Sequence, residues 1–169
     1  MQTIMITGCS SGFGLETARY FLEQGWKVIA TMRAPQEGVL PASDRLRLVR
    51  LDVTSAQSIA EAIAQVGEID VLVNNAGVGM LNALEGAPRE AIANLFATNT
   101  LGTIAMTQAV IPRFRERRSG TIVNITSAVT LQPMPLLAVY TASKAAVNAF
   151  TESLALELLA FNIRVGLIL

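Results

Sequence analysis

Ile4-Met5-Ile6-Thr7-Gly8-Cys9-Ser10-Ser11-Gly12-Phe13-Gly14 opens the chain with an apolar run that stops at a glycine. Leu15-Glu16-Thr17-Ala18-Arg19-Tyr20-Phe21-Leu22 then continues with helical period, so a strand, a glycine turn and a helix follow one another. Glycines at 8, 12 and 14 let the backbone turn tightly and approach a ligand. The helix that starts there offers unpaired N–H groups and the positive end of its dipole to a phosphate. The pattern Thr7-Gly8-x-x-x-Gly12-x-Gly14 is looser than the usual dinucleotide fingerprint, and a plain tight turn is the other reading.

The rest of the chain repeats this alternation. Lys27-Val28-Ile29-Ala30-Thr31-Met32 supplies a second strand, residues 34–45 a loop with Pro35, Gly38 and Pro41, and Leu46-Arg47-Leu48-Val49-Arg50-Leu51 a third strand ending at Asp52. A helix over 58–66 leads into Ile69-Asp70-Val71-Leu72-Val73, a strand of the kind buried on both faces of a parallel sheet. Pro88 suits a first helical turn, and the periodicity predicts a helix from there to about Phe114 that Pro112 should kink. A fifth strand covers 121–126, a last helix about 139–160, and Ile163-Arg164-Val165-Gly166-Leu167-Ile168-Leu169 begins a sixth strand. With no repeat or low-complexity tract in 169 residues, the expectation is one α/β domain. It would be a doubly wound, Rossmann-like parallel sheet with helices on both faces and right-handed crossovers. That topology gathers the glycine turn, Asn74-Asn75-Ala76-Gly77, Ser127 and Tyr140 along one edge of the sheet.

Val139-Tyr140-Thr141-Ala142-Ser143-Lys144 carries the chemistry. On a helix Tyr140 and Lys144, four residues apart, project from one face, and an ammonium near a phenol favours the phenolate. Alone, Tyr-x-x-x-Lys also occurs on many solvated helices. Its setting separates it from those. Ser127 stands thirteen positions before Tyr140 at the end of an apolar strand, and the glycine turn, Asn74-Asn75-Ala76-Gly77 and Asn99 precede it in order. Together these resemble the short-chain dehydrogenase/reductase family over the whole chain.

The resemblance implies roles for these residues. Gly8, Ser10, Ser11, Gly12, Phe13 and Gly14 would hold a dinucleotide, Asp52 with Val53 its adenine, and Asn75, Ala76 and Gly77 would line its path. Ser127 would polarise a substrate carbonyl oxygen and Tyr140 would exchange the proton. Lys144 would bind the nicotinamide ribose and lower the phenol's pKa, and Asn99 would place a water linking Lys144 to solvent. Plainer readings stand beside these: Asp52 settling a helix start, where Thr54-Ser55-Ala56-Gln57 matches a capping box, Asn99 bonding a carbonyl at a helix bend, and Ser127 capping a loop.

The cofactor follows from the second strand. Where an acidic residue would grip the ribose 2′-hydroxyl of NAD, the chain has Thr31, with Arg33 two positions on. A missing carboxylate removes repulsion and an arginine partners a phosphate, so NADP(H) is the better fit and NAD(H) the alternative. Met80, Leu131, Met134, Leu136 and Leu137 would border an apolar substrate pocket, suited to a hydrophobic carbonyl or alcohol.

Composition suits a soluble intracellular protein. Apolar residues make up 51% and charged ones 15%, so some apolar surface is expected to meet another subunit, and the resemblance implies a homodimer or homotetramer through the apolar helices near Asn99 and Tyr140. Thirteen basic residues balance thirteen acidic ones, giving no sign of a nucleic-acid or acidic-membrane partner. No histidine and one cysteine, Cys9, argue against a zinc site or internal disulfide. No basic leader precedes the first strand and no apolar run reaches spanning length, so a cytoplasmic location is expected. The family continues past the sixth strand into a lid and a last strand that are not in this sequence, so the domain is expected to be incomplete at its C-terminal end, as a fragment of a longer protein or a naturally short one. A second reading is therefore a catalytically silent nucleotide-binding or dimerisation module. A flavin or SAM binder on the same sheet would leave Ser127, Tyr140 and Lys144 unexplained.

Overall fold

The computed structural model describes residues 1–169. Six parallel strands, β1 (Thr3–Ile6), β2 (Lys27–Met32), β3 (Leu46–Arg50), β4 (Val71–Asn74), β5 (Gly120–Ile125) and β6 (Ile163–Ile168), form one sheet in the order β3-β2-β1-β4-β5-β6. The order reverses direction between β1 and β4. Open α/β sheets leave a crevice at the carboxyl ends of the strands where the order reverses.

The helices divide between the faces by their apolar stripes. In α1 (Gly12–Glu23), Gly14, Ala18 and Leu22 recur every four residues and are buried with Ile4, Ile6, Val28, Ala30 and Val73. In α2 (Ala56–Val66), Ile59, Ala62, Ile63 and Val66 form the inward stripe against Met5, Ile29 and Leu72 on the opposite face. There α2 is joined by α4 (Gly102–Arg117) through Met106, Val110 and Phe114 and by α5 (Ala138–Leu159) through Leu154 and Leu158. Phe114 is fully buried, a contribution of roughly 1.5–3 kcal/mol by area. It lies so close to Gly120 that a Cβ there would overlap its ring.

Two expectations are revised. The helix expected from Pro88 is continuous to Arg117 but not uniform: α3 (Arg89–Phe96), with Pro88 as its N-cap, passes through a π-helical turn, Ala97–Leu101, into α4, which runs unbroken through Pro112. And α2 begins at Ala56 with Ser55 as its N-cap, whose side chain accepts from the Ser58 amide, so the Thr54–Gln57 pairing is not the one formed.

A cleft at the strand ends and the lysine beside it

The floor of the crevice is a hydrogen-bonded knot between β1 and β4. The Thr7 hydroxyl accepts from the backbone amides of Asn75 (3.0 Å) and Ala76 (2.9 Å). Asn75 Nδ2 donates to the carbonyls of Thr7 (2.8 Å) and Gly8 (3.2 Å). Gly14 fits beneath this knot only because it lacks a side chain: a Cβ would overlap the Gly8 carbonyl oxygen and the Asn75 amide. Gly8 and Gly12 both have positive φ, 75° and 59°, which only glycine adopts cheaply.

Above the floor opens a cavity of about 630 Å³. The structure brings Gly8, Ser10, Ser11 and Phe13 of the glycine turn to its wall. Arg33, Asp52 and Val53 stand at the β2 and β3 side, and Asn75, Ala76 and Gly77 follow β4. Gly12 and Gly14 shape the turn rather than line the space. The first turn of α1 faces it with Ser11 as N-cap, and that side chain makes no capping bond. Its leading N–H groups are therefore left for an acceptor from outside the chain, the arrangement a pyrophosphate needs. Thr31 is fully buried and donates to the Ile6 carbonyl (3.1 Å), while Arg33 is exposed.

Asp52 serves the start of α2. Its Oδ1 accepts from the Thr54 amide (2.9 Å) and hydroxyl (2.7 Å), and its own amide donates to Ser58 Oγ (2.9 Å). These bonds from Thr54, aided by Arg33 and Arg50 nearby, hold its carboxyl below the ordinary aspartate value. The plainer reading of Asp52 is thus realised, and the residue still faces the cleft.

At the far side, Asn99 lies 1% exposed in the π-helical turn. Its Oδ1 accepts from the Val78 amide (2.8 Å), and Nδ2 donates to the Val78 carbonyl (2.9 Å) and to Ser143 Oγ (3.1 Å). Ser143 Oγ donates to the Tyr140 carbonyl (2.7 Å), and Thr100 Oγ1 donates to the Ser143 carbonyl (2.9 Å). Asn99 therefore fixes the loop after Gly77 onto the helix that carries Tyr140.

Lys144 is 6% exposed, and its Nζ donates to the Ile125 carbonyl at 2.9 Å. Burial pushes its pKa below the ordinary lysine value. A Cβ on Gly77 would stand 3.4 Å from this Nζ and 3.3 Å from Asn99 Oδ1, so the lysine borders the cleft's inner end. The bond to Ile125 also ties α5, one turn past Tyr140, to the strand end two residues before Ser127. Ser127 Oγ accepts a long bond from the Val129 amide (3.4 Å), and Asn148 on α5 donates to Thr130 Oγ1 (2.9 Å), holding that turn against the helix. Below them Asn74 Nδ2 donates to Thr107 Oγ1 (3.0 Å) and Asn124 Oδ1 (2.8 Å), and Asn124 Nδ2 donates to Thr151 Oγ1 (2.8 Å), a buried polar chain from β4 to α5.

The apolar residues expected at a substrate pocket lie on two loops that meet, since the Asn82 amide donates to the Leu136 carbonyl (2.9 Å). Leu131, Met134 and Leu136 are exposed there, with Val78, Leu81 and Leu84 beside them. Sequence reading missed the structural roles of Thr7 and Ser143, and Asn94 and Thr98 on the cleft wall. The last two, four residues apart on a helix, carried a readable signal as a polar pair on one face.

With this geometry in view, the relatives are informative. A sequence model of the short chain dehydrogenase family matches residues 2–169. Retinol dehydrogenase 8 from Bos taurus is 42% identical over 99% of this chain and 57% of its own length. A 3-ketodihydrosphingosine reductase from Bacteroides thetaiotaomicron is 42% identical over 99% and 62%. The chain thus spans about three fifths of the length of these relatives. Among solved structures, the closed form of serine dehydrogenase complexed with NADP+ superposes with a TM-score of 0.92 at 34% identity, covering 98% of this chain and 70% of that one. A 3-ketoacyl-(acyl-carrier-protein) reductase from Brucella melitensis complexed with NADH gives 0.90 at 32% identity, covering 98% and 74%. No helix is long and apolar enough to cross a membrane.

Proposed function

The chain belongs to the short-chain dehydrogenase family, and from that premise we propose that it carries the nucleotide-binding and catalytic part of an NADP(H)-dependent oxidoreductase that interconverts a carbonyl and an alcohol on a hydrophobic small molecule. The single observation that carries the reading is Lys144: a buried ammonium bonded to one backbone carbonyl, one helical turn from Tyr140 and at the inner end of a nucleotide-sized cleft. A buried charge this lightly compensated is costly, and such groups concentrate at functional sites.

A bound nicotinamide would supply or accept the hydride. The residues do the rest. The free N–H groups of the glycine turn and α1 would hold the pyrophosphate, and Lys144 Nζ would reach the ribose hydroxyls beside Gly77. The Tyr140 hydroxyl makes no hydrogen bond within the chain, so its proton is free to pass to a carbonyl oxygen during reduction and to return during oxidation. The Ser127 hydroxyl would donate to the same oxygen and stabilise the charge that develops on it. Asn99 spends both Nδ2 hydrogens and one Oδ1 lone pair on Val78 and Ser143, so it positions the loop and α5 and keeps one acceptor site for a relay water. The exposed leucines and methionines of the two joined loops favour an apolar substrate. NADP(H) over NAD(H) rests on Arg33 and the buried Thr31 in place of a carboxylate. A cytoplasmic homo-oligomer is the setting proposed for it.

The test is nicotinamide absorbance with NADPH and a panel of apolar ketones and aldehydes, for the unaltered chain and for Tyr140→Phe. Turnover that Tyr140→Phe abolishes, with NADPH binding retained, is expected. Turnover that survives the substitution overturns the assignment, and binding without any turnover favours the silent module.

A further inference from the structure

Beside the cleft runs a second, smaller groove of about 360 Å³, lined by Arg33, Arg50, Asp52, Gln57, Glu61 and their neighbours, none of them hydrophobic. It shares Arg33 and Asp52 with the cleft, so the two are continuous. In the sheet, Arg50 lies across from Met32, and Arg33 is the next residue on. Neighbouring strands are about 4.8 Å apart, so two long cationic side chains rise from adjacent strand ends into one polar space.

Neither guanidinium of this pair is spent, which is also true of Arg45, Arg89 and Arg164, but only Arg33 and Arg50 line the groove. Arg19 pairs with Glu16, Arg47, Arg113 and Arg118 bond backbone carbonyls, and Arg115 lies over the Phe161 ring. Arg33 and Arg50 make no hydrogen bond or ion pair within the chain, although Asp52 is near enough to feel both charges. Asp52 instead turns Oδ1 into the Thr54 turn, and Glu61 accepts from Gln57. Both acids in the groove are thus engaged by neutral donors, and the two forks are left for an anion.

We infer that this groove is a phosphate-monoester subsite in which Arg50 is a second cation beside Arg33, together selecting the 2′-phosphorylated nucleotide. The inference rests on the nucleotide-cleft reading above and extends it to a residue on β3. A phosphate bridging two guanidiniums gains two bidentate contacts that a free ribose hydroxyl cannot make. The ring of Asp52, Gln57 and Glu61 would disfavour a bulky or apolar substituent.

The experiment is equilibrium binding of NADPH, NADH and adenosine 2′-monophosphate to the unaltered chain, Arg33→Ala, Arg50→Gln and Arg50→Lys. Arg50 is exposed at a strand end, so its variants are expected to fold. Arg50→Gln should weaken NADPH and adenosine 2′-monophosphate by roughly tenfold, leave NADH unchanged and flatten the salt dependence. Arg50→Lys should fall between, keeping the charge without the fork. Unchanged NADPH affinity in Arg50→Gln, or an equal loss for NADH, overturns the inference while leaving the cleft reading intact. Binding of both dinucleotides with no preference between them does the same. Adenosine 2′-monophosphate binding that depends on Arg50 without dinucleotide binding would sustain the subsite and sink the reductase reading, and no binding of any probe sinks both.

Discussion

Asn99 grips Val78 by both of its backbone polar groups, accepting from the amide at 2.8 Å and donating to the carbonyl at 2.9 Å. One side chain thereby acts as a strand partner for a loop that has none. Asn99→Ala would leave two backbone groups to find water or go unpaired, at about 1–3 kcal/mol of stability. Asn99→Asp should recover none of it, because it keeps one acceptor, loses the donors and buries a charge. Chemical denaturation of the three proteins measures this, and an aspartate variant as stable as the parent would contradict it.

The two glycines of the turn are needed for different reasons. At Gly14 the φ is ordinary but a methyl group would overlap the Gly8 carbonyl and the Asn75 amide, whereas at Gly12 there is open space and a φ of 59°. Gly14→Ala should cost more than the roughly 1–2 kcal/mol set by left-handed backbone at Gly12→Ala. It should also displace the Thr7–Asn75 knot and weaken nucleotide binding. Reversal of that order in thermal melts would refute the packing argument.

Lys144 releases its proton at lower pH in the folded chain than in the unfolded one, because burial disfavours the ammonium. The unfolded state thus binds more protons in the window below the ordinary lysine value, and stability rises with pH across it. Lys144→Met removes that dependence and should be neutral or stabilising at neutral pH, by up to about 2 kcal/mol, while turnover is lost. Melting curves at several pH values for both proteins check it. A lower melting temperature in the variant at neutral pH would show that the ammonium is compensated by more than Ile125.

Cys9 is fully buried, and its thiol is pushed up to about 12 by that burial. A thiol reagent at pH 8 should react with the native chain roughly a thousandfold more slowly than with an exposed cysteine, and at once in denaturant. Because there is no other thiol, the reaction reports only openings that expose the glycine turn after β1. Rapid native labelling would show that the turn after β1 opens readily in the folded chain.

Most element positions were legible because buried parallel strands read as short apolar blocks and the helices as stripes of fixed period. The π-helical turn was not. Residues 89–117 keep a helical rhythm, and the added residue per turn comes from tertiary contacts, the Asn99 amide on Val78 and Gly102 closing on Val53, where a Cβ would come within 2.7 Å of Cγ2. The start of α2 offered two overlapping capping patterns. Thr54 is drawn away by Asp52, which leaves Ser55 to cap, and only the fold decides that contest. The cleft itself was readable from motifs, since the glycines and the Asn75-Ala76-Gly77 turn carry their geometry in residue type. Thr7, Ser143 and Arg50 were silent because hydroxyls and arginines are ordinary everywhere until the strands bring them together.

The strand order has a consequence for how the chain is made. β1 is made before the other five strands yet ends in the middle of the sheet, with β2 on one side and β4 on the other. Its second edge is closed only when β4 pairs with it, Ile4 to Ile6 against Val71 to Val73, with the Asp70 side chain meeting the Thr3 amide across 67 residues of sequence. During synthesis the β1-β2-β3 half therefore waits with its central strand uncovered, and the cleft floor does not exist until the second half arrives. Folding of this protein should be governed by that one long-range closure, after which the cleft floor and the sheet centre come into being in the same step.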